Sequence, residues 1–375
     1  MSGQDFVRSL PGADAPRVVR SGGFAWDPPL LLLLSVVIGF GLMVLYSAAD
    51  RNTSALFSQM TRVGLGIVVM LVAAQFPPRF YLRWSPLIYG LGLVLVLLVL
   101  SNGVVVNGSR RWLEIPGVAR FQPSELLKLA VPMMVAWYFH ERPLPPSFKD
   151  LLVALFILAL PAALVVLQPD LGTGILVATA GFAVILLAGL QWRYLLVAAA
   201  ALGAIAPIAW YGLQEYQQRR ILTLFDPESD PLGAGWNIMQ STTAIGSGGL
   251  EGKGLFRGTQ SHLDFLPESH TDFIIAVIGE ELGFMGVLFV LLLYVSIVAR
   301  CLYTAALAKQ TYSRLLSGAL TLTFFVYVFV NIAMVSGMLP VVGVPLPLIS
   351  YGGTSAITLL AGFGIIMSIH SHKSW

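Results

Sequence analysis

Two oppositely charged side chains lie within an apolar stretch of the sequence, where ionisable residues are costly and often functional. Glu125 and Lys128 both fall in the segment 122–139, three residues apart. If this segment is a helix, residues at that spacing share one face and can form an ion pair. The pair could simply neutralise itself, or it could line a polar cavity in which Lys128 reaches an anionic ligand. The two interpretations are compatible, and the sequence leaves both open.

Asp272 lies just before another apolar segment, 273–299, in the sequence His-Thr-Asp-Phe. A short polar side chain at such a place can cap a helix, and a carboxylate beside a long polar loop can also act as a general base. Both roles stay open for Asp272. Glu280 and Glu281 follow further on, about 80° and 180° around the helix and roughly 12 Å deeper. We therefore expect them to pack against another span or to face the cytoplasmic half, without a catalytic role.

Basic residues cluster in the connections near both segments. Arg110, Arg111 and Arg120 precede the segment with the ion pair, and Arg219 and Arg220 open a long polar stretch. As a group they could form a basic rim suited to the phosphate-bearing head group of a lipid. Taken one at a time, each is an ordinary head-group anchor.

A glycine-rich stretch, 246–258, contains Lys253 and Arg257 and looks at first like a phosphate-binding loop. It departs from the Walker pattern because Gly254 stands where the pattern needs Ser or Thr, and because no strand precedes it. A nucleotide site is therefore not expected. What remains is a flexible backbone with two cations, which could hold a pyrophosphate at a membrane surface or could be a solvated loop.

The composition identifies the kind of protein in which these residues must be placed. Of 375 residues, 57% are hydrophobic and only 11% are charged, whereas soluble domains have about 25% charged residues. This balance excludes a soluble globular domain, a disordered chain, a collagen-like repeat and a nucleic-acid-binding protein. The single cysteine, Cys301, excludes an intramolecular disulfide, and the histidines form no zinc motif. The composition predicts an all-α polytopic membrane protein.

Ten apolar segments approach the length of about 20 residues that crosses a bilayer as a helix. They are 29–48, 57–76, 82–101, 122–139, 151–167, 171–190, 194–213, 273–299, 315–335 and 349–370. We predict a single ten-helix membrane domain over residues 28–371, after a cytoplasmic tail over 1–27. The connection 214–271 is long, and loops of that length are usually functional or disordered.

The distribution of Lys and Arg predicts the orientation of the spans, because cytoplasmic loops carry an excess of both. With a cytoplasmic N-terminus, the inner loops hold eight cations, and the short outer connections hold four, with Arg62 on a boundary. The inner ones are Arg79, Arg83, Arg142, Lys149, Arg193, Arg300, Lys309 and Arg314, and the outer ones are Arg51, Arg110, Arg111 and Arg120. Since ten is an even number, both termini are then cytoplasmic. The loop 214–271 and Asp272 are then extracytoplasmic.

Five motifs, in order along nearly the whole chain, resemble the SEDS family, named for shape, elongation, division and sporulation. They are Arg120-Phe-Gln-Pro-Ser-Glu-Leu-Leu-Lys128, Gln168-Pro-Asp-Leu-Gly-Thr173, the loop 246–254, Leu266-Pro-Glu-Ser-His-Thr-Asp-Phe273 and Gly343-Val-Pro-Leu-Pro-Leu-Ile-Ser-Tyr-Gly-Gly-Thr-Ser355. The sequence 258–268 looks most like the rod-shape, or RodA, branch of the family. One departure is Ala333, where the family pattern has Gly, and it should affect packing more than chemistry.

The resemblance implies a peptidoglycan glycosyltransferase of the bacterial cytoplasmic (inner) membrane. Such an enzyme polymerises lipid II, a disaccharide-pentapeptide on undecaprenyl pyrophosphate, for cell elongation and cell shape. By this resemblance Asp272 is the essential carboxylate, and we take it as the candidate general base. The ion pair of the fourth span falls on Glu125 and Lys128.

The resemblance also implies what accompanies the reaction. Arg120 and Arg220 fall on basic positions of the family, and with Lys253 they are the candidates for binding the substrate pyrophosphate. A divalent cation (Mg²⁺ or Mn²⁺) on the pyrophosphate and a class B penicillin-binding protein as partner are implied too, together with membrane lipids. No protein-held metal site and no nucleic acid are expected. Two alternatives stay open: a lipid II flippase that uses the ion-pair cavity, and a non-catalytic scaffold for the penicillin-binding protein.

Overall fold

The structure, a computed structural model, describes residues 24–106, 109–115, 119–213, 215–230, 233–262 and 269–372. Residues 1–23 of the predicted tail lie outside the described residues. Within these ranges the helices are α1 (Pro28–Ala48), α2 (Thr53–Gln75), α3 (Pro78–Asn102), α4 (Pro123–Phe139), α5 (Phe148–Val166), α6 (Leu171–Leu187), α7 (Trp192–Gly212), α8 (Glu215–Phe225), α9 (Ala234–Gly248), α10 (Thr259–His262), α11 (Ile274–Leu307), α12 (Thr311–Val335) and α13 (Thr354–Ser371). The strands are β1 (Val104–Val106), β2 (Ser109–Ile115) and β3 (Ala119–Phe121).

Local sequence explains where several of these helices begin. Asn52 caps α2 because its side chain accepts a hydrogen bond from Ser54 N at 3.0 Å. Asp170 caps α6 in the same way, accepting from Thr173 N at 3.2 Å. Proline opens α1, α3 and α4, and it suits the first turn because the N–H it lacks would have no partner inside the helix there.

Each of the ten predicted spans falls on one helix, α1 to α7 and α11 to α13. Among the described residues, seven helices are long and apolar enough to cross a membrane, namely α1, α2, α3, α5, α11, α12 and α13. The helices α4 and α6 have only 17 residues each, and the clearly apolar part of α7 ends at Ile205. The all-α membrane bundle is confirmed, whereas the number of ten crossings stays a prediction.

A small antiparallel sheet, which was not predicted from the sequence, lies in the connection between α3 and α4. Its central strand is β2, which pairs with both of the others. Trp112 of β2 pairs with Val104 of β1, and Glu114 of β2 pairs with Arg120 of β3. The strand packs against both α3 and α4. The strand thereby places Arg111 and Trp112 beside the beginning of α4, the helix that contains Glu125 and Lys128.

Helix α12 lies at the centre of the bundle, where it packs against α4, α6, α9, α11 and α13. Much of its surface is buried, including the polar residues Ser317, Thr321 and Asn331. The hydroxyl of Thr321 donates to the carbonyl of Ser317 at 2.7 Å, within the helix. Asn331 instead forms hydrogen bonds with residues outside α12, at the candidate site.

The long connection 214–271 is partly helical and folds against the bundle. It contains α8, α9 and α10, and α9 packs on α11 and α12. Helix α11 is interrupted at Gly283, which has a φ of 63°, a backbone conformation that favours glycine. Beside this interruption, the N–H groups of Lys253 and Gly254 donate to the carbonyls of Glu280 (3.0 Å) and Glu281 (2.8 Å). The loop therefore forms hydrogen bonds with backbone carbonyls of α11 next to the interruption.

The carboxylates of Glu280 and Glu281 hold this loop in place. Glu280 is fully buried and accepts hydrogen bonds from Lys253 Nζ (2.7 Å) and Thr259 N (2.6 Å). Glu281 accepts a bond of 2.7 Å from the hydroxyl of Ser47 in α1, so it packs against another span as expected. Glu280 departs from that expectation, because its partners belong to the loop. Both carboxylates have structural partners.

Replacement of Glu280 by Ala is expected to loosen the loop, since Lys253 and Thr259 would lose a shared acceptor. Removal of one member of a buried ion pair costs roughly 3–5 kcal/mol, and the Lys253 side chain is 26% exposed, which favours the lower end. Limited trypsin digestion in detergent should therefore cleave after Lys253 and Arg257 faster than in wild type. Glu251→Ala, at an exposed carboxylate of the same loop, is the matched control. Equal protection of both variants would contradict the anchoring role.

Candidate active site

A polar cavity of about 440 Å³ lies where α4, α6 and α12 meet the turn before α11 and the segment between α12 and α13. Its charged lining residues among the described part of the chain are Arg111, Glu125, Lys128, Asp170 and Asp272. The segment 343–355 adds backbone groups and the hydroxyls of Thr354 and Ser355. Three carboxylates and two cations from distant parts of the sequence thus share one space.

Asp272 lies in the turn 269–273, immediately before α11. Phe273 occupies the N-cap position of that helix, so Asp272 is not its N-cap residue. The carbonyl of Asp272 accepts a hydrogen bond of 2.7 Å from Asn331 Nδ2. Its carboxylate lies close to Gly343, where an added Cβ would be 3.5 Å from Oδ2. The carboxylate thus lines the cavity from a turn that α12 holds.

Glu125 and Lys128 are in direct contact on α4. Lys128 Nζ lies 2.6 Å from Glu125 Oε1, and the two side chains are 8% and 6% exposed, in that order. Lys128 Nζ also lies 5.0 Å from the centroid of the Tyr327 ring on α12, a distance typical of a cation–π contact. Since both residues also line the cavity, the geometry is compatible with both interpretations of the pair.

A second pair joins β2 to the beginning of α6. Arg111 Nε lies 3.6 Å from Asp170 Oδ2, and Gln122 Nε2 donates to the same oxygen at 3.4 Å. From the sequence, Arg111 was expected only in a basic rim, and Asp170 was part of a family motif without a role of its own. The sequence Gln-Pro-Asp before an apolar helix is a capping signal, but it gives no indication of a partner on a strand.

The three cations predicted to bind pyrophosphate are placed differently from one another. Arg120 lies in β3, and its side chain is outside the described part of the structure. Arg220 is exposed on α8, and Lys253 is held by a buried carboxylate of α11. Among the described residues, the cavity lining includes neither Arg220 nor Lys253. The cations that it does include are Arg111 and Lys128.

The carboxylates of the cavity do not fit a protein-held divalent cation. No group of three or more His, Cys, Asp or Glu side chains within the described ranges is arranged to hold a metal ion. Glu125 is paired with Lys128, and Asp170 with Arg111. A metal held by protein usually has several carboxylate or carbonyl ligands converging on it, whereas two of these three carboxylates instead pair with cations.

The fold and the cavity define a polytopic membrane protein with a charged site enclosed by its helices. Residues 28–375 match the sequence profile of the FtsW/RodA/SpoVE family, which is described as a cell cycle protein. The chain belongs to this family. The membership predicted from the five motifs is therefore confirmed.

Two curated relatives show where the chain lies within the family. Peptidoglycan glycosyltransferase MrdB of Escherichia coli K12 is 50% identical over 348 residues, which cover 92% of this chain and 94% of that protein. Probable peptidoglycan glycosyltransferase FtsW of Idiomarina loihiensis is 36% identical, over 93% of this chain and 88% of that protein.

Two solved structures share the whole architecture. One chain of a peptidoglycan synthase complex, described in terms of the structural coordination of polymerization and crosslinking, matches 94% of this chain with a TM-score of 0.82 and 33% identity. It is itself covered to 99%. The crystal structure of the rod shape determining protein RodA of Thermus thermophilus matches 93% of this chain with a TM-score of 0.71 and 30% identity, and is covered to 98%. This likeness agrees with the predicted rod-shape branch.

Proposed function

We propose that this chain is a peptidoglycan glycosyltransferase that polymerises lipid II into glycan strands for cell elongation and cell shape. The activity class is the one named for the 50% identical MrdB, and that part of the sequence prediction is confirmed. At the level of the site, one observation carries the proposal: Asp272, Lys128 and Arg111 line the same cavity. A carboxylate and two cations are the groups that transfer of a sugar from a pyrophosphate requires.

The chemistry of the bond assigns a role to each of these groups. A sugar hydroxyl is a poor nucleophile, and Asp272 takes its proton as it attacks the anomeric carbon of the donor. The bond from that carbon to the pyrophosphate breaks, and Lys128 and Arg111 stabilise the negative charge that develops there. Because the donor is α-linked and the polymer β-linked, one direct displacement inverts the carbon. No second catalytic carboxylate is then required.

The remaining cations have different parts in this proposal. We assign Arg120 and Arg220 to a basic rim that meets the head group of the substrate. Lys253 is assigned to holding its loop, because Glu280 accepts its ammonium at 2.7 Å. The expected Mg²⁺ or Mn²⁺ ion would be held by the pyrophosphate of the substrate itself, since the carboxylates of the cavity do not form a metal site.

The orientation and the partner are further parts of the proposal. The bias of Lys and Arg in the loops supports cytoplasmic termini and a cavity that opens on the extracytoplasmic side of the cytoplasmic (inner) membrane. A class B penicillin-binding protein is the proposed partner, because it would cross-link the glycan that this chain makes. The match to a chain of a peptidoglycan synthase complex supports this pairing.

The test is polymerisation of purified fluorescent lipid II by the full chain in detergent, alone and with a class B penicillin-binding protein. We expect long glycan strands, resolved by gel electrophoresis. No polymer in detergent, together with movement of lipid II across sealed vesicles, would replace the proposal by a flippase. If the chain shows neither polymerisation nor lipid II transport, with or without the partner, the remaining function is a non-catalytic scaffold.

Gly343→Ala is expected to slow polymerisation by straining the backbone that lies against Asp272. Gly343 has a φ of 74°, a conformation that residues with a Cβ rarely adopt, and Asp272 Oδ2 lies 3.5 Å from the position of the added methyl group. A displaced catalytic group can cost on the order of a hundredfold in rate, and we expect a loss of up to that size in the initial rate of glycan formation. Gly337→Ala, at a φ of 70° outside the cavity, imposes a comparable backbone strain and is the control. Equal rates for the two variants would show that strain beside Asp272 has no specific effect and would contradict this prediction.

A further inference from the structure

Asn331 is a buried amide on α12 that contacts the backbone on two sides of the cavity. Its Nδ2 donates to the carbonyl of Asp272 at 2.7 Å and to the carbonyl of Val344 at 2.7 Å, and the residue is 0% exposed. Because both partners are carbonyls, only the NH₂ group can face them, and this fixes the orientation of the amide. One side chain therefore ties the turn before α11 to the segment that follows α12.

The other end of this amide shows that packing alone does not explain the asparagine. Asn331 Oδ1 is buried and has no hydrogen-bond partner within the described residues. A buried acceptor without a partner costs free energy, and a leucine would remove this acceptor only by also leaving the carbonyls of Asp272 and Val344 without their donor. Departures of this kind from local stability rules concentrate at functional sites.

The two carbonyls held by Asn331 belong to the parts of the backbone that fix the Asp272 carboxylate. One is the carbonyl of Asp272 itself. The other is the carbonyl of Val344, the residue after Gly343, and an added Cβ at Gly343 would lie 3.5 Å from Asp272 Oδ2. Asn331 thus ties the backbone of Asp272 to the backbone that the carboxylate lies against.

We propose that Asn331 is a positioning residue for Asp272, which orients the carboxylate by bridging the carbonyls of Asp272 and Val344. This inference rests on the proposed role of Asp272 as general base. A residue that acts in this way affects the rate of the chemical step and leaves the affinity for substrate unchanged, because it contacts the base and not the lipid.

The experiment compares steady-state polymerisation of lipid II by the full chain and its variants, with the partner penicillin-binding protein present. In Asn331→Leu we expect kcat to fall by on the order of a hundredfold, the cost of a catalytic group displaced by about 1 Å, with KM for lipid II unchanged. Asn331→Asp keeps the shape but turns a carboxylate oxygen towards the two carbonyls, and it should lose at least as much. Asn331→Ser keeps one donor and should lie between wild type and Asn331→Leu.

The matched control is Tyr312→Phe, on the same helix. It removes a buried hydroxyl that is hydrogen-bonded to Ser85 at 2.9 Å, at the opposite end of α12 from Asn331. We expect this variant to keep the kcat of wild type. A comparable fall in kcat in Tyr312→Phe would show a general response to loss of a buried hydrogen bond in α12 and would overturn the specific role of Asn331.

Two other results would overturn the positioning role. One is a kcat equal to that of wild type in a folded Asn331→Leu variant, or in Asn331→Ser if the leucine variant fails to fold. The other is a raised KM with unchanged kcat, which would assign Asn331 to substrate binding. If the wild-type chain forms no polymer, the proposed function itself is overturned, and the positioning role of Asn331 falls with it.

Discussion

Asp272→Asn is expected to abolish glycan polymerisation while the protein stays folded. The amide has the shape of the carboxylate but cannot accept the proton of the attacking hydroxyl. Loss of a general base typically costs about 10²–10⁴-fold in rate, which would reduce polymer to the background of a gel assay. Folding should survive, because the amide has nearly the same size as the carboxylate and because Asn331 bonds the backbone carbonyl of this residue, which the substitution does not change. The measurements are lipid II polymerisation and thermal unfolding in detergent.

Controls separate this expectation from a loss of charge in general. Glu251→Gln changes an exposed carboxylate in the preceding loop and should polymerise at the rate of wild type. Asp272→Glu keeps the base but lengthens its side chain, and it should retain part of the activity. Wild-type activity in Asp272→Asn, or a fall in activity matched by a fall in unfolding temperature, would remove Asp272 from the chemical step.

The parts of the site that depend on local spacing could be predicted from the sequence. Glu125 and Lys128 are three residues apart in one apolar segment, so a helix alone brings them together. Their contact at 2.6 Å requires no knowledge of the tertiary fold. The spans follow from hydropathy for the same reason, because a helix in a bilayer satisfies its own backbone hydrogen bonds. The starts of α1, α4 and α6 agree with the predicted segments to within one residue, whereas α2 and α3 begin four residues earlier than predicted.

The parts that depend on long-range pairing could not be predicted. Arg111 reaches the cavity because β2 pairs with β1 and β3 and packs on α4. The Asn107-Gly108 dipeptide after a β-branched run is a hairpin signal, and it could have indicated this sheet. Even so, it would not have identified Asp170 as the partner of Arg111. Asn331 is similar, since its role depends on two carbonyls that only the folded bundle places beside it.

Lys253 has a partner that the composition of its glycine-rich loop does not reveal. Its glycine-rich surroundings favour a solvated cation that is ready for an anionic ligand. In the structure Glu280, on a helix that follows the loop, accepts this ammonium at 2.7 Å. The interruption of α11 at Gly283 makes that pairing possible, because it leaves backbone carbonyls of α11 for the loop to bond. Neither the interruption nor the pairing has a strong signal in the sequence.

The protein should be more stable with both members of the Glu125–Lys128 pair, or with neither, than with only one of them. Removal of one partner leaves the other charge buried, with side chains 6% and 8% exposed, and such a change costs roughly 3–5 kcal/mol. Glu125→Gln and Lys128→Met should therefore each lower the unfolding temperature in detergent. The double variant removes both charges together and should recover most of the lost stability, because a buried pair replaced by neutral groups is often near neutral in free energy. Additive losses in this double-mutant cycle would contradict direct coupling between the two side chains.

Activity in the same cycle separates the two interpretations of the pair. If Lys128 stabilises the leaving pyrophosphate, the double variant remains inactive even where its unfolding temperature has recovered, because no ammonium is left at that place in the cavity. If the pair only neutralises itself, activity returns together with stability. We expect the first result, because Lys128 lines the same cavity as Asp272 and Arg111 and is one of its two described cations. The second result would leave Arg111 as the described cation for the pyrophosphate and would make Lys128 a structural residue.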